Sequence, residues 1–200
     1  MIGNRIALFG GSFNPPGLHH RLIAERLISY FDLIYVIPCG MRVDKASVNR
    51  VLPQHRLEMV KATFFGLPKV QLILDDLEQN IFTPTCVLQE RFAKEGEVWH
   101  AIGTDLIIGG HDGRSEIHRV WQKGPEIWQQ FNFFVITRDD FDHQDLPPNY
   151  MLLQFRNFGS STEIRQRLQS AQSVAGLVVP EVEKYIYQHG LYQAADKSVV

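Results

Sequence analysis

Along this chain, apolar runs of strand length alternate with segments in which apolar residues recur every three or four positions. Residues 5–9 (RIALF), 33–38 (LIYVIP), 70–74 (VQLIL), 97–103 (EVWHAIG), 131–137 (FNFFVIT) and 150–155 (YMLLQF) read as strands. After the first, Leu22, Ile23, Leu27, Ile28 and Phe31 fall at helical spacing. A second helix is expected from Pro53, whose missing N–H is tolerated in a first turn, with Leu57, Val60 and Phe64 or Phe65 facing inward. Residues 75–84 read as a turn, and Thr83 or Thr85 is placed to cap a helix through Leu88 and Ala93 that Gly96 stops. A short helix is expected within 121–130, a surface loop over 139–148, and further helices from Ser161 and from Pro180. Strand and helix in alternation predict right-handed crossovers. The expected class is α/β: a doubly wound, mostly parallel sheet of five or six strands with helices on both faces.

Composition narrows this picture without redirecting it. Two hundred residues, 44% of them hydrophobic, suffice for one core, so a single domain is expected over 1–193 with a flexible tail over 194–200. A net charge of -2 lacks the basic excess of a nucleic-acid binder. No apolar run is long enough to span a membrane, and Met1 leads into the first strand without a charged and apolar leader, so a cytoplasmic location is expected. Cys39 and Cys86, far apart and outside any CxxC spacing, read as free thiols.

In doubly wound sheets ligands bind outside the carboxyl ends of the strands, which directs attention to the loops there. The first, residues 8–20 (LFGGSFNPPGLHH), joins a strand to a helix through Gly10, Gly11 and Ser12. Glycines bring peptide N–H groups close to a ligand, and the helix start adds unpaired donors and partial positive charge, an arrangement suited to phosphate. The last rim loop carries Ser160, Ser161 and Thr162 at a helix start, with Glu163 in the first turn and Arg165 one turn in. The hydroxyls cap, and the arginine with the free N–H groups can hold an anion. Two such starts on one rim imply a polyphosphate ligand.

Other constellations are weaker. His111-Asp112 is too few ligands for a hydrolytic metal site, and Asp139, Asp140, Asp142 and His143 read as a solvated acidic turn. No GxGxxG follows the first strand, and neither GxxxxGK(S/T) nor GxSxG occurs, which disfavours dinucleotide dehydrogenases, P-loop enzymes and serine hydrolases.

GGSFNPPGLHH resembles the GG(T/S)FDPxHxGH signature of the HxGH nucleotidyltransferases, and SSTEIR resembles their (I/S)SSTxIR signature. Between them IGTDL, residues 102–106, resembles the family's IGxD segment, and Lys45 with HRLEM around Arg56 resembles nicotinate and nicotinamide mononucleotide adenylyltransferases. The resemblance spans residues 5–168 and implies a Rossmann-like nucleotidyltransferase fold. One departure stands out. Without a gap, the motif's second histidine falls on His20, but its first falls on Gly17 and its glycine on His19, while Asn14 replaces the usual aspartate.

What the resemblance implies is adenylyl transfer from ATP, with Mg²⁺, to nicotinate or nicotinamide mononucleotide, giving deamido-NAD or NAD and pyrophosphate. His20, His19, Lys45 and Arg165 would be catalytic, His19 standing in for the histidine absent at position 17. Gly10, Gly11, Ser12, Phe13, Gly103, Asp105, Ser160, Ser161 and Thr162 would bind ATP. Lys45, Thr83, Thr85, Trp121 and Arg138 would meet the mononucleotide, the indole stacking on a pyridine ring. No protein metal ligands are expected, Mg²⁺ being held by the ATP phosphates. Two alternatives stay open: a nucleotide-binding relative with weakened catalysis, and an adenylyltransferase for another phosphate-bearing acceptor. A homo-oligomer is compatible with either, and neither a nucleic-acid nor a membrane partner is expected.

Overall fold

The computed structural model describes residues 4–41, 51–137, 142–155 and 159–193. Six parallel strands form one sheet: β1 (Asn4–Gly11), β2 (Leu33–Pro38), β3 (Val70–Leu72), β4 (Gly96–Gly103), β5 (Asn132–Thr137) and β6 (Tyr150–Gln154). Their order is β3-β2-β1-β4-β5-β6. The chain therefore winds one way from β1 to β3, returns to β1's other side with β4, and winds outward again. Such an order opens a crevice between β1 and β4 at their carboxyl ends.

Helices α1 (Leu18–Leu27), α2 (Pro53–Phe64), α3 (Asp75–Glu78), α4 (Thr85–Phe92), α5 (Glu116–Val120) and α6 (Gly124–Gln130) lie between strands, and α7 (Ser161–Gln169) and α8 (Pro180–Gln188) follow the last one. Ala7, Phe9, Val36, Trp99, Ala101 and Phe134 point to one face of the sheet, where they pack with Ile23 and Leu27 of α1 and Val60 and Phe64 of α2. Ile6, Leu8, Tyr35 and Ile37 point to the other and meet Phe92 of α4. Central strands buried on both faces explain why they read as nearly unbroken apolar runs.

The structure departs from the sequence reading at short elements. Residues 75–78 form α3, a single helical turn, inside a stretch expected to be turn throughout. Neither Thr83 nor Thr85 caps α4: its N-cap is Pro84, Thr83 bonds Asp76 instead, and Thr85 is the first helical residue. One helix was expected within 121–130, and α6 fills that place, but α5 precedes it, capped by the Ser115 hydroxyl, which accepts from the His118 N–H. Phe64 is buried whereas Phe65, 82% exposed, points outward. Cys39 and Cys86 are free and buried. Among the described residues no helix is long and apolar enough to cross a membrane. The tail expected over 194–200 lies outside the described residues.

Candidate active site

A cavity of about 580 Å³ opens at the β1/β4 crevice, within the size range of small-molecule sites. Gly10 and Gly11 at the end of β1, Ser12 in the β1–α1 loop and His20 in the first turn of α1 line it, with Gly103 at the end of β4 and Asp105 just beyond. Thr83 and Thr85 come from the loop before and the start of α4, and Trp121 from the bend between α5 and α6.

His20 sits in the first turn of α1. Its Nδ1 accepts the Gly17 N–H at 2.9 Å, so in the neutral ring Nε2 carries the proton. The ring packs edge-on to Phe13, centroids 4.9 Å apart, and Phe13 is itself buried beneath the loop rather than lining the cavity. His19 is 1% exposed and lies behind the cavity wall, its ring 3.9 Å from that of His20.

The second helix start docks directly onto this loop. Ser160 caps α7 by accepting the Glu163 N–H at 3.1 Å. The Ser161 hydroxyl donates to the Pro15 carbonyl at 2.8 Å, and Arg165 Nη1 donates to the Asn14 carbonyl at 2.7 Å and Nη2 to the Thr162 hydroxyl at 3.1 Å. Tyr192, just beyond α8, donates its hydroxyl to Asn14 Oδ1 at 2.5 Å. The two starts singled out in the sequence are thus brought together, Ser161 and Arg165 buttressing the loop, although Ser160, Ser161, Thr162 and Arg165 do not line the cavity itself. Lys45 and Arg138 lie outside the described residues.

Three residues that hold the site together escaped the sequence reading of roles. Arg56 of α2, 1% exposed, spans three carbonyls: Nη1 donates to Ser12 at 2.9 Å and to Cys39 at 2.8 Å, and Nη2 to Gly40 at 3.2 Å. One guanidinium therefore ties the loop after β1 to the loop after β2. Burial lowers its pKa, as it does for Arg165, and the described residues give neither side chain a carboxylate partner. Asp76 is the second. Its carboxylate accepts the Thr83 N–H at 2.7 Å and the Thr83 hydroxyl at 2.5 Å, shaping the loop that lines the cavity before α4. Only the HRLEM likeness marked Arg56, and nothing periodic marked Asp76.

The third is His100 of β4, against which the cavity closes. Its Nε2 lies 2.8 Å from Gln89 Oε1 and its ring stacks on Phe131. Complete burial pushes its pKa down to about 3, against 6.5 for an exposed imidazole. Between those values the unfolded chain binds a proton that the folded one refuses, so folding stability rises with pH across this window and is lost on acidification. His100→Asn is expected to remove a slope of about 1.4 kcal/mol per pH unit from the acid limb, read by urea unfolding between about pH 4.5 and 6.

Asp112 pairs with Arg114, and among the described residues no group of three His, Cys, Asp or Glu side chains could hold a metal ion. Asp139 and Asp140 lie outside the described residues.

Comparison with known proteins agrees with this geometry. Residues 8–167 match the model of the cytidylyltransferase-like family. The chain is 27% identical to nicotinate-nucleotide adenylyltransferase of Bacillus subtilis strain 168, over 95% of this chain and 99% of the relative. It is 30% identical to a Bacillus pumilus protein named "Probable nicotinate-nucleotide adenylyltransferase", again over 95% and 99%. In fold it resembles Plasmodium falciparum nicotinic acid mononucleotide adenylyltransferase solved with NaAD, with a TM-score of 0.73 at 23% identity, covering 94% of this chain and 97% of that one.

Proposed function

Because the chain belongs to the cytidylyltransferase-like family, we propose that it transfers an adenylyl group from ATP to nicotinate mononucleotide, or to its amide, in the cytoplasm. The observation that carries the reading is the docking of α7 onto the β1–α1 loop through Ser161 and Arg165, which sets two anion-suited helix starts beside one nucleotide-sized cavity.

In the reaction a 5′-phosphate oxygen of the mononucleotide attacks the α-phosphorus of ATP. The bond from that phosphorus to the β-bridging oxygen breaks, and pyrophosphate leaves. Such transfer asks for alignment and charge stabilisation more than for a covalent nucleophile. Gly11 and Ser12 present backbone N–H groups to the nucleotide, and His20 Nε2–H meets the charge growing on the α-phosphoryl oxygens. Ser161 and Arg165 already spend hydrogen bonds on the loop. The β and γ phosphates are therefore left to the N–H groups heading α7, the exposed Thr162 hydroxyl and the remaining charge of Arg165. Gly103 and Asp105 face adenosine, and Thr83, Thr85 and Trp121 face the pyridine. Lys45 and Arg138 remain in the reading as cations toward the phosphates. Mg²⁺ belongs to the ATP substrate, whose phosphate oxygens suit a small hard cation that keeps several of its waters.

Incubation with ATP, Mg²⁺ and each mononucleotide separately, with products resolved chromatographically, tests the reading. Deamido-NAD and pyrophosphate in equal amounts are expected from the nicotinate form. ATP binding with no dinucleotide from either acceptor would overturn it in favour of a nucleotide-binding role.

A further inference from the structure

Relative to the family signature, this chain has exchanged two residues, with glycine at 17 where the motif has histidine and His19 where it has glycine. The structure shows that the two changes are one. Gly17 has φ -99° and ψ 168°, extended backbone open to any residue, so conformation does not demand glycine here. Space does. A Cβ on residue 17 would lie 2.5 Å from both Cε1 and Nδ1 of His19 and 3.0 Å from Cδ1 of Ile164. The His19 ring thus folds back over residue 17 and fills the start of the volume that a side chain there would need. Ile164 belongs to α7, so this volume lies where the two helix starts meet. The ring of His20 is held between His19 at 3.9 Å and Phe13 at 4.9 Å, and its Nδ1 receives the N–H of the same Gly17.

We infer that His19 is a positioning residue that replaces, from the other side of the turn, the histidine absent at position 17. It occupies that side chain's place against Ile164 and clamps the His20 ring in the orientation in which Nδ1 receives the Gly17 N–H at the cavity wall. The role rests on the proposed reaction for its catalytic meaning, but not for its geometry. It also differs from supplying a phosphate donor, since the ring is buried behind the wall.

A double-mutant cycle of G17H, H19G and G17H/H19G separates the possibilities. The histidine at 17 and the one at 19 compete for the same space, so G17H alone is expected to lower the melting temperature and kcat. H19G alone empties the space and is expected to lower kcat at least tenfold, with KM for the mononucleotide changed less than threefold. The double variant, which regenerates the signature, is expected to return kcat to within threefold of wild type. Side-chain ¹⁵N spectra of His20 give a second readout that needs no turnover. The single Nε2-protonated tautomer of the wild type should become a mixture in H19G and return in the double variant. Wild-type kcat and an unchanged His20 spectrum in H19G overturn the inference, as does a double variant no better than the worse single one. If H19G does not fold, H19A takes its place in the cycle and the same recovery is required. If the wild type turns over neither acceptor, the reaction fails while the spectra still decide the positioning.

Discussion

His20→Ala is expected to lower kcat by about 10²–10³-fold, the loss associated with removing one preorganised donor from a developing anion. Its Nδ1 is committed to the Gly17 N–H and its ring is wedged between His19 and Phe13, so in the proposed reaction it would act without reorienting. ATP itself should still bind. In the proposed reading the loop N–H groups and the start of α7 hold the nucleotide independently of this ring, so KM for ATP is expected to rise less than about tenfold, the usual reach of one donor lost from ground-state binding. His20→Asn keeps a donor but shortens its reach, and should recover only part of kcat. Steady-state kinetics with pyrophosphate release followed continuously separates the two parameters. An alanine variant with unaltered kcat would remove His20 from the reaction.

The second large effect falls on a residue outside the cavity. Arg56→Met is expected to cost about 3–5 kcal/mol of folding stability, because three carbonyls lose a charged donor while the desolvation cost of the guanidinium is relieved. The loss should not stop at stability. Ser12, Cys39 and Gly40 belong to two loops joined by that one side chain, and Ser12 and Cys39 line the cavity. KM for both substrates should therefore rise together. Arg56→Lys is expected to recover less than half of the stability, since a single ammonium lacks the planar fork that reaches three acceptors. Urea unfolding at neutral pH measures the first effect and initial rates measure the second.

These two residues also show what could and could not be seen in the sequence. The strands were legible because the central four are buried and the edge strands β3 and β6 set half-buried apolar residues against the core, with connections of crossover length between them. The rim that bears the site followed from the alternation of strand and helix, which puts ligands outside the carboxyl ends of the strands. His20 and the Ser160–Arg165 start were visible because each sits at a strand-to-helix junction with a local pattern of glycine, hydroxyl and charge. Arg56 was not. Its partners are 16, 17 and 44 residues away, and a polar residue in an amphipathic helix looks solvated until the tertiary fold closes over it. Asp76 was hidden for a related reason, since α3 is one turn long and its acidic residues carry no period. The expected threonine cap at α4 failed because the Asp76 carboxylate engages Thr83 more strongly than a helix start could.

The bonds converging on Asn14 have a consequence for the order of events in a cell. Its carbonyl waits for Arg165 and its amide oxygen for Tyr192, partners 151 and 178 residues further along. Chains are made from the amino end, so the glycine turn emerges early, can be tied by Arg56, and still lacks these two bonds through most of the chain's synthesis. A nascent chain that has made β1 to β5 still lacks both partners, so the turn is completed only after α7 and Tyr192 are made. Products that terminate before α7 lack both bonds to Asn14 and are expected to be silent rather than partly active.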